Sequence, residues 1–490
     1  MLDRFATRRE QLRREFFARH FVLGGFPGAT DTYKRTMWAA VPDIAQMPAC
    51  YTLTLRKGLP EPDATGLIMA GHEAMLAQWF DRPLQRADLE LAEAWFTSQA
   101  ATRAYPSALW RSLLDTQPGD EIYLPVDVYG FPGGQTFLPG VPCLVFEGPG
   151  GLISYLEPAM CRYFAPIIQA TKARLMKQAT PRDAEFGLRS APNDLSHLVL
   201  LLARYVGGRG SLTSNDMAEF LWPELFRSIG TIGHEMMCAA QRWDRSLAEA
   251  EYEMMDRFVR ALGQASLLCD LVDAETVGLH NALRVIRSHP ETSRVGIRVD
   301  SGNIAAQCVL YFEQMRAAGI EPRTIVFEDE VTPDTVRQVY EHFREATGQE
   351  PTMLFPGAGG YWWRLVHRDT VAAAFKRTAT AEHPNIKFSN SPGKETLPGY
   401  LRVSASADIL IIHERDEQVD AEPLMVKLVE QGRILYQESF EQQADRADAT
   451  WNRFRRVDWS PRVRAHVERF RAMRDAEIAA ARSANPRLAD

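Results

Sequence analysis

From about residue 184 onward the chain alternates between short strand-like runs and amphipathic stretches at helical spacing. A run over 295–299 precedes a helical stretch to 318, one over 324–327 precedes a stretch to 347, and one over 352–355 precedes a stretch read as helix over 362–378. This is the pattern of consecutive βα units, which build a parallel sheet or barrel. In such barrels the working residues stand just after the strands, so the strand ends are where chemistry is sought.

At 490 residues, 46% of them hydrophobic, the chain exceeds a typical single domain and can fill more than one core. The texture divides it into an N-terminal amphipathic helix over 1–27, an accessory α/β domain over 28–183, the α/β barrel over 184–441 and a helical extension over 442–490. Within the accessory domain, a strand is expected over 50–55, helix over 67–114 and helix again over 155–177. Between them Pro125, Pro132, Gly133, Gly134, Pro139, Gly140 and Pro142 mark a small β-rich module near 119–151. The charged stretch 461–482 reads as a solvated surface helix.

Fifty-six basic and 63 acidic residues are scattered without a polybasic arm, giving a net charge of −7 that argues against a nucleic-acid binder. Six cysteines with no Cys-x-x-Cys pair argue against a disulfide framework or a zinc site. Asp3, Arg4, Arg8, Arg9 and Glu10 interrupt any signal-peptide core, and no apolar stretch reaches membrane-spanning length. The expectation is a cytoplasmic protein with no membrane association.

Two loops between strand and helix suit an oxyanion, since glycines let the backbone approach and a helix start adds a favourable dipole. One is Asp300-Ser301-Gly302-Asn303, with Arg298 just before it. The other runs from Phe355 to Gly360 and includes Gly359 and Gly360; Arg364, Arg368, Lys376, Lys387 and Lys394 follow it. Mg²⁺, which favours one or two carboxylates plus phosphate oxygens, could be held by Asp270 and Asp300, with Asp273 in reserve. Each aspartate alone reads equally well as a helix cap. His234 follows Gly230-Thr231-Ile232-Gly233, a small-residue approach that leaves an imidazole accessible.

Eight ordered segments carry a family resemblance. They are Thr30 to Lys34, Leu55-Arg56-Lys57, Glu185 to Arg189, Thr213-Ser214-Asn215, Gly230 to His234, Asp270 to Asp273, Arg298 to Gly302, and Lys387 to Asn390 continuing through Lys394 to Gly399. In this order, across residues 28–400, they resemble the nicotinate phosphoribosyltransferases. The resemblance implies an irregular parallel α/β barrel with an accessory N-terminal α/β domain, and a homodimer with active sites at the subunit interface. It implies transfer of phosphoribose from phosphoribosyl pyrophosphate to nicotinate in NAD salvage, with Mg²⁺ as cofactor and ATP as co-substrate. Residue by residue it makes Tyr33 and Phe186 the aromatic pair around the pyridine ring, with Arg189, Ser214 and Arg56 as further substrate contacts. Arg298, Asp270 and Asp300 become catalytic neighbours of His234, which it makes the transiently phosphorylated histidine. Gly302, Gly359, Gly360, Arg368, Lys376, Lys387 and Lys394 fall to the phosphates.

Glu235 stands where the family's usual residue carries a hydroxyl. The run Gly357-Ala358-Gly359-Gly360, together with Asn303 and Arg368-Asp369, is closer to the sister nicotinamide enzymes. Ser214 points the other way, because an aspartate in its place, as in nicotinamide enzymes, would repel a nicotinate carboxylate. Nicotinate is therefore the first reading of the substrate, with nicotinamide, or a catalytically silent ligand-binding homologue, as alternatives.

Overall fold

The computed structural model describes residues 7–13, 30–81, 83–98, 104–390 and 394–484. The chain forms two compact units, Met1–Thr171 with Val366–Asp490, and Lys172–Leu365.

The Lys172–Leu365 unit is built on seven parallel strands: β1 (Ala184–Glu185), β2 (Leu212–Thr213), β3 (Arg227–Ser228), β4 (Ala265–Leu268), β5 (Val295–Val299), β6 (Ile325–Phe327) and β7 (Leu354–Ala358). Their order is β3-β2-β1-β7-β6-β5-β4. Leu267, Leu268, Ile297, Val299, Ile325 and Phe327 are fully or almost fully buried, as expected of strands covered on both faces. Helices Val277–Ser288, Ile304–Ala317 and Pro333–Thr347 connect β4 through β7. The second is capped by Asn303, and the third by Thr332 with Pro333 in its first turn.

The outermost strands, β3 and β4, share no ladder. Just beyond β3, the Thr231 hydroxyl reaches β4: it donates to the Ser266 carbonyl at 3.2 Å and accepts from the Ser266 amide at 2.8 Å. The parallel sheet is curled, in the manner of an irregular α/β barrel.

The other unit carries an antiparallel sheet in which Ala373–Thr380 and Pro142–Pro149 flank Pro48–Leu55, and Asp127–Gly130 pairs beyond them. Several expectations change here. The barrel unit stops at Leu365 rather than 441, because residues 373–380 pair with Ala49 to Leu55 of the strand Pro48–Leu55. The helix expected over 362–378 is a short turn, a four-residue helix Arg368–Val371 and the strand Ala373–Thr380. Its alanines favour a helix locally, but packing of Phe375 on Tyr51, with ring centroids 5.4 Å apart, belongs to the sheet.

The module near 119–151 is not separate, since Asp127–Gly130 and Pro142–Pro149 are strands of the large sheet. The helix expected over 67–114 divides into His72–Phe80, Arg86–Ser98 and Ser107–Thr116, with short strands Leu67–Ile68 and Leu84–Gln85 before the first two. The final helix, Pro461–Ala484, is anchored through buried Val463 and Val467 rather than wholly solvated. At the N-terminus residues 7–13 are helical, and the rest of the expected helix lies outside the described residues. All six cysteines are free. Among the described residues no helix is long and apolar enough to cross a membrane.

Candidate active site

The strand ends of the barrel unit converge on His234. β4 delivers Asp270, β5 delivers Asp300, and the loop after β3 delivers the histidine. Thr231 ties that loop to β4, which sets His234 beside the end of the neighbouring strand. His234 Nε2 lies 2.9 Å from Asp270 Oδ1, and its Nδ1 lies 3.6 Å from Asp300 Oδ2. Asp270 is held in turn by the Ser301 hydroxyl, which donates to Oδ2 at 2.8 Å. A Cβ added at Gly230 or Gly233 would meet nothing within 4 Å, so the approach to the imidazole is open.

Arg298 Nε lies 3.6 Å from Asp300 and Nη1 lies 3.8 Å from Glu328. Glu328, directly after β6, is a site residue that the sequence reading passed over. The strand-end rule would have found it, since it follows Phe327 as Asp300 follows Val299. Burial pushes its carboxyl up to about 7, against the pull of the Arg298 charge and with the push of Asp300.

Phe186 follows β1, and its amide donates to the Ala358 carbonyl at 2.9 Å. A Cβ at Gly357 would lie 2.5 Å from the Phe186 ring, so this glycine makes room for the aromatic face. Phe186, Arg189, Ser214, His234, Arg298 and Asp300 line one cavity of about 570 Å³. A second cleft, of about 800 Å³, shares Phe186, Arg189, Asp300 and Glu328 and is walled by Gly359 and Gly360. Gly302 has φ +85°, a left-handed conformation that suits glycine, and it ends the turn that places Asp300.

The ligand atoms of His234, Asp270 and Asp300 all lie within 4.8 Å of one another. Two carboxylates this close suit a hard divalent cation such as Mg²⁺. Asp273 stands apart from this group: its carboxylate accepts from the Thr276 amide at 2.8 Å, in the turn before the helix Val277–Ser288.

The remaining candidates belong to the other unit. Tyr33, half-exposed, donates to Glu157 at 3.3 Å, and Lys376 reaches the same carboxylate at 2.9 Å; Lys34 is also paired with it. Burial opposes the Glu157 charge, but bonds from Lys34 and Lys376 more than offset it and hold the carboxyl below its ordinary value. Arg56 and Lys376 line a cavity of about 220 Å³, and Arg56 donates to the Lys394 carbonyl at 3.2 Å. Partial burial and the nearby Arg368 charge both lower the Arg56 pKa. The side chains of Arg368 and Lys387 are exposed, the first beside Asp369 at 2.7 Å.

No family model matches the chain. Over 323 residues it is 26% identical to human nicotinate phosphoribosyltransferase, a stretch covering 56% of this chain and 59% of that protein. Over 240 residues it is 27% identical to nicotinate phosphoribosyltransferase 1 of Pseudomonas aeruginosa, covering 45% of this chain and 55% of the relative. The matched stretches thus span little more than half the length of these relatives.

In fold, the chain superposes on the crystal structure of human nicotinic acid phosphoribosyltransferase with a TM-score of 0.62 at 19% identity, over 90% of this chain and 99% of that one. Against nicotinate-nucleotide pyrophosphorylase from Pyrococcus furiosus the TM-score is 0.60 at 15% identity, over 90% of this chain and 96% of that one. In sequence over about half its length, and in fold over most of it, this chain is similar to the nicotinate phosphoribosyltransferases.

Proposed function

We propose that the chain transfers the phosphoribosyl group of phosphoribosyl pyrophosphate to nicotinate, in NAD biosynthesis. The observation that carries this reading is the convergence of His234, Asp270, Asp300, Phe186 and Ser214 at the ends of parallel strands. The similarity to nicotinate phosphoribosyltransferases supports it.

In this reading the lone pair of the pyridine nitrogen forms a bond to C1 of the ribose. The bond from that carbon to pyrophosphate breaks, and pyrophosphate leaves with the electron pair. Phe186 offers one face of the ring a flat apolar contact, and Arg189 supplies positive charge for a carboxylate. Asp300 and Glu328 carry acceptors for sugar hydroxyls. Mg²⁺ would be held by Asp270 and Asp300, and when bound it supplies positive charge to the leaving pyrophosphate. Arg56, Arg368, Lys376, Lys387 and Lys394 are proposed as phosphate-binding cations, Tyr33 as a ring contact, and the working form as a homodimer.

ATP coupling is part of the proposal. The imidazole of His234 attacks the γ-phosphorus of ATP, ADP leaves, and a phosphohistidine remains to be hydrolysed in the cycle. The exposed side chain of Glu235 leaves its negative charge solvated rather than aimed at this step from a dry wall.

The test is product analysis with nicotinate and nicotinamide in competition, in the presence of phosphoribosyl pyrophosphate and Mg²⁺, with and without ATP. Nicotinate mononucleotide is expected as the main product, in larger yield with ATP. Formation of nicotinamide mononucleotide alone would move the reading to the sister enzyme, and no mononucleotide at all would reject transfer.

A further inference from the structure

Behind the ring pocket lies a set of buried polar side chains that do not line it. Glu185, His197 and Thr213 are fully buried and Asn215 is 6% exposed. The Glu185 carboxylate accepts from His197 Nε2 at 3.0 Å, from the Thr213 hydroxyl at 2.8 Å, and from the Gly187 amide. On its other side His197 Nδ1 faces Asn215 Nδ2 at 3.0 Å.

The hydrogen bonds fix the tautomer. Asn215 Oδ1 accepts from the Met217 amide at 3.0 Å as the cap of the next helix, so its amide nitrogen must face the imidazole. Nδ1 is then an acceptor, and the proton sits on Nε2, where it donates to Glu185. A neutral imidazole satisfies both neighbours.

Every bond of the set ends beside a residue of the ring pocket. The Glu185 carboxylate holds the amide of Gly187, next to Phe186, and the Glu185 carbonyl accepts from the Ser214 amide at 3.0 Å. Thr213 and Asn215 flank Ser214, and the Asn215 amide donates to the Thr213 hydroxyl at 3.1 Å. A buried carboxylate is a costly way to fill a core, which apolar groups of the same shape would fill as well. What it adds is direction, because a fully satisfied polar network permits one arrangement of the peptides it holds.

We infer that Glu185, His197 and Asn215 are positioning residues that fix Phe186 and Ser214 from behind and thereby set affinity for the pyridine substrate without touching it. The inference rests on the function proposed above.

The experiment compares KM values for nicotinate and for phosphoribosyl pyrophosphate in wild type, Glu185→Gln, His197→Asn and His197→Gln. Glutamine can place its amide nitrogen near the former Nε2 and keep the bond to Glu185, whereas asparagine is too short to do so. Glu185→Gln and His197→Asn are expected to raise KM for nicotinate about tenfold or more, the scale of a small misplacement of binding groups. KM for phosphoribosyl pyrophosphate should stay within about twofold, and His197→Gln should remain near wild type. Equal rises for both substrates, or none for nicotinate, overturn the inference. So do variants that cannot fold, because the set would then serve the fold alone. A wild-type chain that forms no nicotinate mononucleotide overturns the functional reading itself, and the inference with it.

Discussion

Phe186 and Gly357 fit as ring against gap: a Cβ on Gly357 would stand 2.5 Å from the phenyl edge and 3.0 Å from Glu328 Cγ. Gly357 takes no left-handed φ, so its role is space rather than backbone freedom. Gly357→Ala should therefore turn the ring of Phe186 and weaken nicotinate binding. Phe186→Ala should weaken it by about 1 to 3 kcal/mol, the range for losing apolar area and a stacking partner. In the double variant the two effects should not add, since the alanine methyl has no ring left to displace. Titration calorimetry with nicotinate reads all three, and additive losses would separate Gly357 from the ring.

Asp300→Asn should lose most Mg²⁺-dependent turnover while Tm stays close to wild type. The carboxylate is partly exposed and faces charged groups, 3.6 Å from Arg298 Nε and 3.6 Å from His234 Nδ1. Turnover across a Mg²⁺ titration, beside a thermal melt, checks both halves. Equal activity at saturating Mg²⁺ would remove Asp300 from the metal.

ATP labelled at the γ-position should label His234. The label should be lost in acid, survive base, and vanish in His234→Ala. Persistence of the label in that variant assigns it to another nucleophile.

Glu328 gives a prediction in pH. Its carboxyl is raised from the ordinary value of 4.5 to about 7, chiefly by burial, so between those values the folded chain holds a proton that the unfolded chain has released. Stability from this group is present below about pH 4.5 and falls as pH rises to about 7. Glu328→Gln should abolish that fall, gaining on the order of 1 to 3 kcal/mol relative to wild type at pH 8 compared with pH 5. Urea unfolding of both proteins at the two pH values measures it. A constant difference between them would show that the group titrates normally.

The barrel was legible wherever the signal is local. Val295–Val299 carries its apolar run and its loop residues in one stretch, and the rule that strands end at working residues led to Asp300 and Asp270. Residues 373–380 were misread because alanines carry a helical preference, while the partner strand that overrides it lies more than 300 positions away in the chain. The same distance hid the electrostatics. Nothing local to Glu328 reveals that Arg298 and Asp300 face it, nor does the turn at Glu185 reveal His197 twelve residues on. Sequence pattern exposes which side chains stand at strand ends, whereas which of them share protons depends on sheet order.

The Thr231 link carries a further consequence. Elsewhere in the parallel sheet, neighbouring strands are joined by amide-to-carbonyl bonds, but between β3 and β4 there is no ladder, and side chains such as the Thr231 hydroxyl span the gap. That gap is a seam, and His234 hangs from the loop that crosses it. A seam opens at lower free energy than a ladder, so the amide of Ser266 should exchange with solvent faster than those of Ile297 or Ile325 on the inner strands. Thr231→Val, which keeps the side chain's shape and removes the clasp, should speed that exchange and loosen the wall on which the imidazole is mounted.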